Sequence, residues 1–261
     1  MAVIENPWQA LRQFTAARIA LGRAGVSQPT SAQLDFQLAH AQARDAVHRE
    51  LDAAALAAQL ATLTGLAPAL LLHSAADNRA TYLQRPDLGR QLDDASRAAM
   101  PDGASTPYDV AFVIADGLSA LAIVQNAAPF LAVLLARLAQ DAWTIAPPAI
   151  VREGRVAVGD EVAQLLGARA VVVLVGERPG LSSPDSMGLY LTWQPRIGVP
   201  DSSRNCISNV RPAGLSYADA AHTLHYLLSE ARRRGLSGVG LKDETEAAQS
   251  SAVAGQTRFL L

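Results

Sequence analysis

The 261-residue chain carries a single cysteine, Cys206. A lone thiol rules out an intrachain disulfide framework and a thiolate zinc cage, and it fits a reducing compartment. Aromatic residues are scarce, at 5% of the chain, but half of its residues are apolar, so there is ample core. Charge of one sign is lacking too: Lys and Arg number 22 against 24 for Asp and Glu, a net charge of −2. A nucleic-acid footprint needs a basic surplus or stripe, which this balance does not supply. No apolar run reads as approaching the roughly 18 residues of a membrane span. The N-terminus has no basic region followed by an apolar core, so no secretory signal is read. These absences lead to the expectation of a soluble, cytoplasmic globular protein.

Common catalytic and nucleotide-binding signatures are missing as well. There is no G-x-G-x-x-G after a strand and no G-x-x-x-x-G-K-[ST], and no G-x-S-x-G elbow. The five histidines contain no i,i+4 pair; His222 and His225 are three apart. That pair reads mainly as two polar groups on a helix surface, with a metal site the lesser alternative. No Ser/His/acid set can be assembled from spacing.

What is present is organised around 168–186. Val171–Val175 is an apolar, β-branched run, short enough for a strand and apolar enough to be covered on both faces. It breaks at Gly176-Glu177-Arg178-Pro179-Gly180. Open α/β sheets place ligands in loops of this kind, because the carboxyl ends of parallel strands line a crevice that the sheet holds rigid. An ordinary strand-to-loop transition with solvated charges is the alternative.

Around it, the pattern predicts a helical first part. Asn6-Pro7 opens a helix carrying Leu11, Phe14, Arg18 and Leu21, and Gly22 and Gly25 end it. Thr30 or Ser31 caps a second, Ala-rich helix running to about Leu63, with a break near 49–52. Segment 66–72 is only weakly patterned. Arg85, ahead of Pro86, is read as ending an extended piece, and a short helix over about 93–100 follows. The turn-rich stretch 101–107 is the best boundary.

Beyond it, Val110–Ala115 is a buried strand stopping at Asp116-Gly117, Ser119 caps a helix, and 129–140 is a second helical piece. Segment 142–151 reads as extended but interrupted, and 160–166 as a helix closed by Gly167. Strands follow over 188–194 and 206–210. Ser216-Tyr217-Ala218-Asp219 opens the clearest helix, 217–234, which Gly235 terminates. The fold class is therefore α/β: a small, mostly parallel sheet domain with flanking helices, preceded by an N-terminal helical domain or arm. The expected divisions are 1–104, 105–241 and a mobile tail over 242–261.

Three polar points sit at strand ends: Asp116, Glu177 and the stretch Arg204-Asn205-Cys206-Ile207-Ser208-Asn209. In a parallel sheet they can meet on one rim. Glu177 suits a ligand rich in N–H donors, or it pairs with Arg178 or Arg196 on the surface. Cys206 is also readable as an inert buried thiol, the commonest fate of a lone cysteine. Arg155 can take a phosphate or carboxylate, or stand as a solvated charge.

Five separated segments occur together and in order: Arg18…Gly22-Arg23-Ala24-Gly25; Tyr82-Leu83…Arg85-Pro86-Asp87-Leu88-Gly89-Arg90; Ile114-Ala115-Asp116-Gly117-Leu118-Ser119-Ala120; Val175-Gly176-Glu177-Arg178-Pro179-Gly180-Leu181; and Arg204-Asn205-Cys206-Ile207-Ser208-Asn209-Val210. With these, the chain resembles the small (light) subunit of ethanolamine ammonia-lyase over about residues 6–240. The resemblance implies an adenosylcobalamin-dependent radical lyase that converts ethanolamine to acetaldehyde and ammonia. It implies a large TIM-barrel subunit that binds substrate, with the small subunit closing the cobalamin against it. Positions resembling the family's cobalamin contacts are Val156, Glu177 and Cys206, with Arg155, Arg178, Arg204, Asn205, Ser208 and Asn209 as weaker candidates beside them. No catalytic residue and no metal ligand is assigned to this chain.

A corrin is a broad apolar disc rimmed with amides, so Val156 can pack on it and Glu177 can accept from an amide. D-x-H-x-x-G, the pattern of proteins that replace the cofactor's base with histidine, is absent. The cofactor is therefore expected base-on, retaining its dimethylbenzimidazole. Some relatives carry an N-terminal extension that directs them into a protein-shelled microcompartment. No such extension is read here, so the expectation is a cytosolic enzyme, or one carried in by its partner. A stand-alone nucleotide-binding α/β enzyme and a structural partner without cofactor contact are the alternatives.

Overall fold

A computed structural model describes residues 3–101 and 107–245. The boundary at 104/105 and most of the expected tail lie outside these residues. The core is a six-stranded sheet in the order β1-β3-β2-β4-β5-β6. Its strands are β1 (Leu70–His73), β2 (Tyr108–Ala115), β3 (Ala149–Arg152), β4 (Ala168–Gly176), β5 (Met187–Trp193) and β6 (Arg204–Val210). The pairings β1·β3, β3·β2 and β2·β4 are parallel, and β4·β5 and β5·β6 are antiparallel. Only β5 runs against the rest, so the mostly parallel expectation holds. The carboxyl ends of the other strands share one rim with the start of β5.

Side chains alternate across a strand, and both faces of this sheet are covered. Val110, Phe112, Ile114, Val172 and Leu174 pack with α5 (Ala120–Leu138) and α7 (Tyr217–Arg234). Val113, Ala115, Val171 and Val173 pack on the other face with α6 (Val158–Leu166). That double burial is why 171–175 is continuously apolar. Gly159 lets α6 approach closely, since a Cβ there would fall 2.3 Å from Val173 Cγ2.

The caps read from the sequence are confirmed at Ser119, which accepts from Ala122 N, and at Ser216, which accepts from Asp219 N. Gly167 and Gly235 both adopt the left-handed conformation that ends their helices.

Several expectations are corrected. The opening helix is only a 3₁₀ segment, Gln9–Phe14, that buries nothing; without a surface to pack on, its periodicity does not sustain an α-helix. The long helix divides into α1 (Thr30–His48) and α2 (Ala53–Leu60) at the suspected break. Asp52 caps α2, whereas Pro29 rather than Thr30 or Ser31 occupies the N-cap of α1. Residues before Arg85 are not extended: Asn78 caps α3 (Arg79–Gln84), and Pro86 restricts only Arg85, which leaves the helix. The remaining short helix is α4 (Asp94–Ala99).

The two helical pieces after Ser119 are one helix, α5, with Pro129 inside it. Gln125 and Pro129 both lie on its exposed face, so the carbonyl freed by proline turns toward water while the opposite face buries Ile123, Phe130, Leu131 and Leu134. At 19 residues and a mean hydropathy of 1.7, α5 also corrects the reading that no run reaches membrane-spanning length; here it is a core helix. Finally, β1 comes from the expected helical arm, so the sheet draws on both sides of the expected boundary.

Candidate functional site at the carboxyl-end rim

Two loops cross at the centre of the rim, one after β2 and one after β4. Gly117 has φ +56, and a Cβ there would fall 2.3 Å from Gly176 O. A Cβ on Gly176 would fall 2.1 Å from Ser119 O. Both positions therefore require glycine, and Leu118 N donates to Gly176 O at 2.9 Å. The crossing sets Glu177 at the mouth of the sheet.

Glu177 is half-buried. Its Oε2 accepts from Ser186 Oγ at 2.5 Å and from Asn209 N at 3.2 Å. A bulge between Met187 and Leu189 leaves Gly188 beside it, where a Cβ would fall 3.0 Å from Oε1. Glycine thus makes room for the carboxylate. Oε1 has no hydrogen-bond partner among the described residues.

Glu177 borders a cleft of about 430 Å³ lined also by Tyr82, Leu118, Arg155, Val156, Arg178 and Tyr190. Val156 is half-buried and packs, with Tyr190, on the α6 side of the sheet. Tyr82 is buried, its ring 4.8 Å from the Arg79 guanidinium and 4.5 Å from that of Arg155. Arg155 Nη2 donates to Tyr82 O at 3.2 Å, while Arg155 Nε is buried without a partner. Burial raises the Tyr82 phenol well above its usual range, with the Arg155 charge opposing. Burial also raises the Tyr190 phenol, with Cys206 the next cause.

Beneath the cleft lies a buried ionic cluster. Arg79 Nη1 donates to Glu153 Oε2 at 3.0 Å and to Gly117 O at 2.9 Å, and it stands 3.5 Å from Asp116 Oδ2. Asp116 is 1% exposed, and its Oδ1 accepts from Gly154 N at 3.1 Å. Burial, then the Glu153 charge, pushes its carboxyl up to about 7, with Arg79 opposing. Asp116 therefore points into the fold and supports the cleft from below; it is not among the cleft's lining residues.

The structure separates the remaining sequence candidates. Cys206 is exposed, which corrects the buried-thiol alternative, and it lies opposite Tyr190 on the neighbouring strand, at the edge of the same face. Ser208 Oγ stands 3.4 Å from Cys206 Sγ. Asn209, with φ +61, brings its N–H to Glu177. Arg178 is exposed and lines the cleft. Arg204 lies at the start of β6, on the opposite rim. Its guanidinium makes two bonds to Asp160, at 2.7 and 2.6 Å, and others to Thr192 Oγ1, Val199 O and Asp201. Asn205 is engaged with Gly238 and Leu241. The expected meeting on one rim is therefore corrected for Arg204 and Asn205: a strand carries its two ends to opposite rims.

Ser186, Gly188, Tyr190 and the Arg79–Glu153 pair were missed. Tyr82 stood inside a quoted motif, but nothing local pointed it at Arg155. The loop itself is tied down: Ser119 Oγ donates to Pro184 O at 2.8 Å, and Asn126 Nδ2 to Asp185 O at 2.8 Å. Arg18 of the N-terminal arm donates to Leu181 O at 3.3 Å. A larger cleft, about 750 Å³, lies between that arm and α1, away from every strand end. Among the described residues no three His, Cys, Asp or Glu side chains converge on a metal position, and His225 pairs with Asp141 at 2.7 Å.

Residues 5–242 match the ethanolamine ammonia-lyase light chain family. The chain is 60% identical over 245 residues to the ethanolamine ammonia-lyase small subunit of Pseudomonas fluorescens, covering 93% of this chain and 89% of that one. Over 262 residues it is 60% identical to that of Ralstonia nicotianae, covering 99% and 96%. The Azotobacter vinelandii small subunit is 59% identical over 261 residues. On this near-complete match the chain belongs to the ethanolamine ammonia-lyase light chain family, and so is a subunit of an ammonia-lyase.

Proposed function

We propose that the chain works only with a large partner subunit, converting ethanolamine to acetaldehyde and ammonia, and that its own part is to close adenosylcobalamin against that partner. The observation that carries this reading is the half-buried Glu177 carboxylate, set on an apolar cleft with one oxygen engaged and Oε1 without a partner. A carboxylate accepts only, so the free oxygen suits an amide N–H₂ at the edge of a corrin. Val156, Tyr190 and Leu118 offer the flat apolar contact such a disc needs.

The bound cofactor would supply the radical chemistry. This chain's residues bind, orient and exclude water, and none of them serves as an acid or base. Ser186 and Asn209 N–H fix the Glu177 rotamer, and the Gly117–Gly176 crossing fixes its height above the sheet. Cys206 borders this surface beside Tyr190.

The partner's surface is the N-terminal arm. Trp8 is 67% exposed, Phe14 78% and Leu11 44%. Apolar side chains gathered on a segment that buries almost nothing mark an interaction surface. Arg18 and Ala16 touch the loop after Glu177, so a partner seated on the arm also reaches the cleft.

The test is cobalamin affinity of the co-expressed two-subunit complex, by equilibrium dialysis. Glu177→Ala should lose roughly 1–3 kcal/mol of affinity, as for a deleted partner of a buried hydrogen bond, with assembly intact. Unchanged affinity in an intact complex would instead establish a structural partner without cofactor contact.

A further inference from the structure

We propose that Arg155, with Arg178 of the same cleft lining, makes part of the cleft an anion-accepting subsite that takes a monoanionic phosphodiester. In cobalamin this is the group that ties the corrin to its base, so the inference rests on the cofactor reading above.

Topology polarises the cleft. Arg155 follows β3, Glu177 follows β4, and β2 lies between them. Neighbouring strands are about 4.8 Å apart, so the strands that deliver the two residues stand roughly 10 Å from one another. Glu177 is the one carboxylate in the cleft's lining, and Arg155 and Arg178 are its two cations.

Among the described residues, Arg155 is held without a carboxylate. Tyr82 stacks on its guanidinium, Tyr82 O accepts from Nη2, and its backbone N–H donates to Gly89 O at 2.7 Å. Gly89 is itself packed against Arg155 Cγ and the Tyr82 ring. The two acids beneath, Asp116 and Glu153, face Arg79. Nη1 of Arg155 has no hydrogen-bond or ion-pair partner among the described residues, and Nε is a buried orphan. Arg178 likewise has no carboxylate partner among them, whereas Arg79, Arg97, Arg204 and Arg211 each have one. A guanidinium oriented by a ring and a carbonyl keeps its charge for an outside anion, and its planar fork matches phosphate oxygens.

Cobalamin matches this polarity. Its peripheral side chains are neutral amides, suited to Glu177, and its phosphodiester is its one anionic side group. A nucleotide-free corrinoid satisfies the Glu177 end alone.

The test measures binding of three corrinoids to the purified two-subunit complex, with and without Arg155→Met. Cobalamin and cobinamide phosphate carry a phosphate; cobinamide does not. The expected result is a roughly ten- to hundredfold loss for the first two, as for a lost charge-assisted hydrogen bond, and no loss for cobinamide. Arg155→Lys, which keeps charge and bulk, should show the same ligand dependence with a smaller loss, and it serves if the Met variant fails to assemble. Arg178→Met should repeat the pattern more weakly. An equal loss for all three corrinoids, or no loss for any, overturns the subsite. A wild-type complex that binds none of the three overturns the cofactor reading beneath it.

Discussion

Arg204 opens β6 and Arg155 follows β3, so the sheet carries the two guanidiniums to opposite rims. Arg204 enters a buried pair with Asp160, and carbonyl and hydroxyl oxygens take its other donors. Arg155 is stacked on Tyr82 with donors left over. One rim is closed on itself. The other presents an oxygen on Glu177 and nitrogens on Arg155 that have no partner among the described residues. A saturated arginine contributes to folding and has nothing left for a ligand. An arginine held by a ring and a carbonyl keeps its charge available.

The largest expected effect comes from opening the closed rim. Arg204→Met strands the Asp160 carboxylate in the interior and should cost about 3–5 kcal/mol of stability in urea unfolding of the isolated chain. The same exchange at Arg155 should cost less than half of that; equal losses would erase the distinction between the rims. Next, Gly176→Ala puts a Cβ against Ser119 O at the loop crossing. It should cost about 1–3 kcal/mol, as for overpacking a tight site, and should weaken cobalamin binding by moving Glu177. A stable variant with normal binding would show that the crossing does not set the site.

A third effect follows pH. The Asp116 carboxyl is raised to about 7 by burial first and then by Glu153, against about 3.9 when unfolded. The folded state therefore binds the extra proton, and this group's contribution to stability is fullest below pH 4. It is lost as pH rises through 7, with a slope of at most about 1.4 kcal/mol per pH unit. Asp116→Asn should flatten that part of the stability–pH curve; an unchanged slope would refute the assignment. The smallest effect is at Ser186. Ser186→Ala removes one bond to Glu177 and should cost about 0.5–1.5 kcal/mol in stability, with a modest loss of cobalamin affinity in the assembled complex.

Much of the fold was legible. The β-branched run at 171–175, the caps at Ser119 and Ser216, and the terminating Gly167 and Gly235 are local signals that act within a few residues, and they survive into the structure. Local signals failed where packing outweighed them. Pro129 does not break α5, because its apolar face is buried and its exposed face can hydrate the freed carbonyl. The Leu11–Leu21 periodicity yields no α-helix, because nothing covers it. Of the site, Val156 and Glu177 line one cleft and Cys206 borders it, whereas Arg204 and Asn205 face the other rim.

An α/β chain with a doubly covered strand ending at Gly176-Glu177 is written in local order, since composition and spacing act through the chain's own neighbours. The reversal of β5, the return of Ser186 and Asn209 to grip Glu177, and the crossing of Tyr82 from α3 to carry Arg155 arise instead from long-range packing. Those contacts join residues between 9 and 73 positions apart. No local pattern records such a separation; the burial of a shared core sets it.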